Sequence, residues 1–254
     1  MPFARPNLFF IHIPKTAGSA IELALGIKSL SNSQHSAESP RFVSSFLRPC
    51  LHVLMGVRSG LFRSSGLSVA PSGSASPRSL FGYLDQPLVG QHLTLGELYW
   101  LGLLSQDEIR SSKFFAVVRH PLDRIKSAWR SHRRYLVFPD INKFIRDRLL
   151  FNTGQSHDER AHIRPMSHFI DASLLPCPVD LTILRFESLQ LDWNSFGRSL
   201  LKDDRFASMV WPELPHHGSN ILSNTSLFND KLSLRSKDLI KEFYEQDYDL
   251  FNYS

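Results

Sequence analysis

A chain of 254 residues with 42% hydrophobic side chains can bury a sizeable core, which excludes an intrinsically disordered protein. Its formal net charge of +5 and pI of about 9.3 suit an anionic partner without requiring one. Two isolated cysteines, Cys50 and Cys177, have no metal-like spacing, the first strand begins too early for a signal peptide, and no apolar run has bilayer length, so the expectation is a reduced, cytoplasmic protein without a transmembrane segment.

In chain order, Leu8 to Ile13 is a short apolar run that reads as a buried parallel strand. Ser19 to Leu25 carries apolar residues at helical spacing, with Gly26 as a stop. Residues 28–86 are rich in Ser, Gly and Pro and read as an excursion that either packs passively or serves as a lid or acceptor-binding element. Order returns with a short strand at Leu88 to Gln91 and a helix from a Thr94 cap to about Leu101. Ser105 and Glu108 match a capping box for another short helix. "KFFAVVRHP", 113–121, is the clearest parallel strand, and Pro121 suits the first turn of the helix that runs to about His132. Helices follow at 140–150 and 165–171, then a strand at 181–186 and a helix from Leu189 to Leu201. A last helix from Ser233 to Tyr244 precedes an aromatic tail, "YDLFNY". Strands alternating with helices predict an α/β fold with a central parallel sheet flanked by helices on both faces, built as a single domain over 1–254.

Two strand-to-helix junctions carry the chemistry. In "FFIHIPKTAGSAIE" a strand leads through Lys-Thr-Ala-Gly-Ser into a helix. Such a turn leaves backbone N–H groups unpaired at the positive end of a helix, which suits an anion and above all phosphate. Lys15 adds a mobile charge, Thr16 and Ser19 add hydroxyls, and Gly18 lets backbone approach the anion. The alternative is a structural turn with an exposed lysine. It is not a Walker A loop, because Lys15 precedes the only glycine, so a magnesium-dependent phosphotransferase is disfavoured. In "VVRHPLDRIKSAWR", Arg119 ends a strand and Ser127 follows in the next helix, with Arg124 between them and Lys126 and Arg130 beside Ser127. An arginine fork and a hydroxyl can hold a second phosphate, unless Arg119 only pairs with a carboxylate.

These two segments closely resemble the donor-binding segments of sulfotransferases that use 3′-phosphoadenosine 5′-phosphosulfate, in the carbohydrate branch that includes the heparan sulfate 2-O-sulfotransferases. "LRFESLQLDW" and "IKEFYEQDYDLFNY" are also similar to family segments. The resemblance implies a P-loop-like sulfotransferase fold. It implies that Lys15, Thr16, Ala17, Gly18 and Ser19 hold the 5′-phosphosulfate, and that Arg119 and Ser127 hold the 3′-phosphate. His92, in "VGQHLT", looks like the family's catalytic histidine, the alternative being a buried structural one. "LPHHGSNILSNTS" departs from the family's Pro-His-x-Asn segment, which leaves His216, His217 and Asn220 without assigned roles.

The reaction so implied is in-line sulfuryl transfer, in which Lys15 stabilises the bridging oxygen of the leaving 5′-phosphate and His92 takes the acceptor's proton. Glu22 either orients a group in the cleft or simply favours the helix N-terminus. The product is 3′-phosphoadenosine 5′-phosphate, and no metal is expected. The expected partner is a small-molecule or glycan acceptor bearing a hydroxyl or amine, not a nucleic acid, and the basic run 129–135 reads equally as a glycan-attracting patch or a solvated helix face. The rival function is a noncatalytic binder of nucleotides or sulfated glycans on the same fold.

Overall fold

A computed structural model describes residues 8–25, 92–102, 104–131, 138–151, 160–215 and 231–254. The excursion at 28–86, the strand expected at Leu88 to Gln91, most of the basic run, and His216, His217 and Asn220 lie outside the described residues.

Among the described residues three parallel strands form a sheet, in the order β1 (Leu8–Ile11), β2 (Lys113–Val118) and β3 (Asp180–Arg185). Leu8 pairs with Lys113 and Ile11 with Ala116, while Val118 pairs with Arg185. The carboxyl ends of β1 and β2 therefore lie side by side. β1 stops two residues short of the expected Ile13, because the Ile13 N–H turns back to the Ile11 carbonyl at 3.1 Å and leaves the ladder.

Nine α-helices are described: α1 (Gly18–Ala24), α2 (Leu95–Trp100), α3 (Gln106–Ser111), α4 (Pro121–Arg130), α5 (Ile141–Ile145), α6 (Met166–Ile170), α7 (Leu189–Leu200), α8 (Leu234–Phe243) and α9 (Glu245–Leu250). Their starts follow local chemistry. Thr94 and Ser105 each close a full capping box, with Glu97 and Glu108 respectively. Pro121 opens α4 where a missing N–H costs nothing. The helix expected over 140–150 divides: α5 passes into a π-helical turn at Arg146–Leu150. The tail expected after Tyr244 is α9, which restarts past a break at Tyr244 (φ −107°) with Glu245 and Asp247 in its first turn.

Side chains of the strands divide by alternation. Phe9, Ile11, Phe114, Ala116 and Val118 pack with Leu95, Leu98, Ile109, Met166 and Phe169. Leu8, Phe10, Phe115 and Val117 pack with Ile21, Leu25, Trp193, Phe196 and Leu200. Phe9 stacks on Phe114 and Phe10 on Phe115, with centroids 5.1 and 5.0 Å apart, so the β1–β2 pairing is reinforced on both sets of side chains. That pairing holds the two strand-to-helix junctions in register. No helix among the described residues is long and apolar enough to cross a membrane.

Candidate functional site

The β1–α1 junction runs through His12, Ile13, Pro14, Lys15, Thr16 and Ala17. Two of its residues have left-handed backbone, Lys15 at φ 70° and Ala17 at φ 72°. Neither is a glycine, and each such residue costs on the order of 1–3 kcal/mol, a strain that clusters at ligand clamps. The backbone N–H groups of Thr16, Ala17, Gly18 and Ser19 find no backbone acceptor among the described residues, and Ala17 provides no side-chain cap. Lys15 is half-buried and Ser19 exposed at this rim. Thr16 is fully buried, and its hydroxyl donates inward to the Ile13 carbonyl at 2.8 Å. From that position Thr16 offers an anion its backbone N–H.

Gly18 has a role that spacing alone did not suggest. A Cβ placed there would lie 1.9 Å from His12 Nε2. His12 is buried, its Nδ1 is 2.7 Å from Glu22 Oε1, and Glu22 has no exposed surface. The imidazole thus occupies the room that any side chain at position 18 would need. Gly18 and Glu22 lie four residues apart on one face of α1, which is why one ring can touch both.

His92 packs beside this pair. Its ring meets His12 edge-on at 4.8 Å and His162 edge-on at 5.1 Å, and all three histidines are buried. His92 Nδ1 lies 3.3 Å from the His12 backbone carbonyl. A carbonyl only accepts, so Nδ1 is the donor in this contact. No group of three His, Cys, Asp or Glu able to hold a metal occurs among the described residues.

The second junction meets the first. Arg119 follows β2, and its Nη1 donates to the Lys15 carbonyl at 3.3 Å. Its guanidinium lies 4.0 Å above the Phe186 ring, while its Nε is buried with no hydrogen-bond partner among the described residues. Burial lowers the Arg119 pKa and nearby Arg130 lowers it further, whereas Asp123 and Glu187 act in the opposite direction. The guanidinium stays charged throughout. A buried guanidinium N–H without an acceptor, beside a second cation, is a fitting place for an anionic oxygen. Ser127 is half-buried on α4, sharing a face with Asp123 and Arg130, and no hydrogen bond joins it to Arg119 among the described residues.

Arg124 lies between Arg119 and Ser127 in the sequence but does not share their surface. It is 1% exposed and turned inward, with its donors on the carbonyls of Pro14, Arg164 and Ala161. Arg164 in turn holds both Glu97 oxygens at 3.1 Å, tying this segment to α2. Sequence reasoning missed His12 and His162. Glu22, four residues past Gly18, was a signal for the first; "AHIRP" offers none for the second. A separate cavity of about 330 Å³ lies between β3 and α7, bordered by Lys113, Leu184 and Phe196.

Comparison with known proteins adds the family. The profile of the sulfotransferase family matches residues 91–254, which include His92, Arg119 and Ser127 but not the Lys15 turn. No curated protein and no solved structure gives a significant match. With well over half of its length matched, and with a parallel sheet whose strand ends bring Lys15 and Arg119 together, the chain belongs to the sulfotransferase family.

Proposed function

We propose that the chain transfers a sulfuryl group from 3′-phosphoadenosine 5′-phosphosulfate to a hydroxyl or amine of a small metabolite or sugar, as a member of the carbohydrate branch. One observation carries the reading: the Arg119 guanidinium touches the Lys15 carbonyl, so the two junctions border a single place rather than two. A donor with phosphates at both its 3′ and 5′ positions needs two anion grips a nucleoside apart. Lys15 with the N–H groups of Thr16, Ala17, Gly18 and Ser19 would hold the 5′-phosphosulfate. Arg119, whose Nε has no partner among the described residues, and Ser127 would hold the 3′-phosphate.

The donor supplies the sulfuryl group, whose bond to the 5′-phosphate oxygen breaks as a bond to the acceptor forms. Lys15 places a compact positive charge at the oxygen that gains negative charge. His92, whose Nδ1 faces the His12 backbone carbonyl, would take the acceptor's proton. His12 and Glu22 hold that ring and the donor loop against one another. The sulfonate carries less charge than a phosphoryl group, so protein cations suffice for charge stabilisation in this reading. The division of strand side chains between two helix-lined clusters supports a single P-loop-like domain with its sheet covered on both faces. Two isolated cysteines, without a disulfide framework, support a cytoplasmic setting.

The test pairs calorimetry with transfer from a labelled sulfate donor. The bisphosphate product should bind equally well with and without magnesium, and wild type should sulfate some members of a panel of hydroxyl and amine acceptors. Lys15→Ala should lower turnover by about 10²–10³-fold with the fold intact. Binding without transfer to any acceptor would favour the noncatalytic binder. Near-normal turnover of Lys15→Ala would remove Lys15 from the site.

A further inference from the structure

We propose that Arg124 is a positioning residue that holds Lys15 in its left-handed conformation and so aims it at the transferring group; this rests on the donor-site reading above. Arg124 sits in the first turn of α4, five residues past Arg119, yet faces away from solvent at 1% exposure. Its Nε donates to the Pro14 carbonyl at 3.0 Å, its Nη1 to Arg164 at 2.9 Å and its Nη2 to Ala161 at 3.4 Å. Three backbone carbonyls, not a carboxylate, receive this charge. Asp247, an acid that raises its pKa against desolvation, is itself engaged by the N–H groups of Met166 and Ser167 at 2.8 Å each.

The placement of the acceptors gives this arrangement its consequence. The Pro14 carbonyl belongs to the peptide plane that precedes Lys15, and the Lys15 carbonyl to the plane that follows it. Arg124 grips the first plane and Arg119 the second, at 3.3 Å. The rotation between those planes is set by the backbone angles of Lys15, whose φ of 70° is disfavoured for a residue with a side chain. Two arginines from one strand-to-helix junction thereby impose an unfavoured backbone on the lysine of the neighbouring junction. The second and third bonds of Arg124 anchor it to residues 161 and 164, which flank His162, the ring against His92. The same side chain therefore links the lysine, the 3′-phosphate junction and the support of the base. Lysine at position 124 would keep the charge but, with a single nitrogen, could not span three diverging carbonyls.

The experiment is Arg124→Lys in the full chain, with Arg205→Lys as the control. Arg205 also bonds a carbonyl, that of Ser111 at 2.7 Å, but at the opposite end of β2. Expected for Arg124→Lys is a fall in kcat of about 10–100-fold at saturating donor, with donor KM within about 3-fold of wild type and one bisphosphate bound per chain. The control should match wild type in both. A purely structural role would lower the melting temperature and the number of binding sites per chain while kcat per competent site stayed at the wild-type value; that result overturns the proposal. If Arg124→Lys does not fold, wild type labelled with ¹⁵N-arginine decides. The Arg124 Nε–H should exchange more slowly than that of Arg205 and shift when the bisphosphate is added; exchange as fast as Arg205, or no shift, overturns it. Wild type that neither binds the bisphosphate nor transfers sulfate sinks the donor-site reading itself, whereas an active wild type matched by Arg124→Lys sinks only the clamp.

Discussion

Replacing Gly18 with alanine would drive a methyl group into the His12 ring, at 1.9 Å from Nε2, 2.3 Å from Cδ2 and 2.5 Å from Cε1. The ring cannot swing aside cheaply. It is stacked on Phe10 at 5.5 Å, wedged by His92 at 4.8 Å, and bound to Glu22 at 2.7 Å with both partners buried. Overpacking of a tight site costs roughly 1–3 kcal/mol. Displacing the imidazole from a buried carboxylate forfeits a further ~1.5–3 kcal/mol. A total of about 2.5–6 kcal/mol corresponds to a drop in melting temperature of roughly 5–24 °C for a chain of this size. Urea denaturation of wild type, Gly18→Ala, His12→Ala and the double variant measures it. The double variant should be less destabilised than the sum of the singles, because removing the ring makes room for the methyl. If Gly18 served only to let backbone approach an anion, Gly18→Ala would lose bisphosphate affinity at unchanged stability. Stability within about 0.5 kcal/mol of wild type, or strict additivity in the double variant, would refute the steric argument.

Arg119→Ala should raise the dissociation constant of the bisphosphate by about 10–100-fold, the loss of a charge-assisted hydrogen bond, with adenosine 5′-phosphate far less affected; equal losses for both ligands would remove Arg119 from the 3′ side. Tyr244 is buried, and its hydroxyl donates to the Ile163 carbonyl at 2.7 Å. Desolvation raises its pKa above the unfolded value of 10.0, so its contribution to stability is complete below pH 10 and is lost as the pH rises beyond it. The urea midpoint of wild type should therefore fall between pH 10 and 11.5 more steeply than that of Tyr244→Phe; parallel curves would show that Tyr244 does not cause the loss.

Much of the scaffold was legible because it is written in local rules. The Phe-rich run of β2, Pro121 at the head of α4 and the Ser105–Glu108 box are each decided by neighbours within a few residues. α9 was hidden because an aromatic-rich tail resembles a coil, and the restart at Glu245 depends on Tyr244 leaving helical geometry to place its ring in the core. The end of β1 was placed too late because an apolar run gives no sign that Ile13 folds back on Ile11.

At the site, residue types were legible and their division of labour was not. Three residues of the quoted motifs have partners inside the protein that the sequence did not announce. Thr16 bonds Ile13, Arg124 bonds three carbonyls, and Gly18 makes room for a ring. Each of those partners is either a backbone atom, which a sequence does not distinguish, or a residue brought close by β-pairing. The left-handed backbone shows the same point. Sequence reasoning assigns the unusual conformation of a turn to its glycine, yet here it falls on Lys15 and Ala17. A glycine at 15 would accept that backbone freely but would carry no charge to the proposed reaction, so a strained lysine needs external restraint. Arg119 and Arg124 supply it from the β2–α4 junction, more than 100 residues away in sequence, on the two peptide planes that bracket Lys15. The parallel register of β1 and β2 brings restraint and lysine together, which makes the sheet part of the site as well as its support.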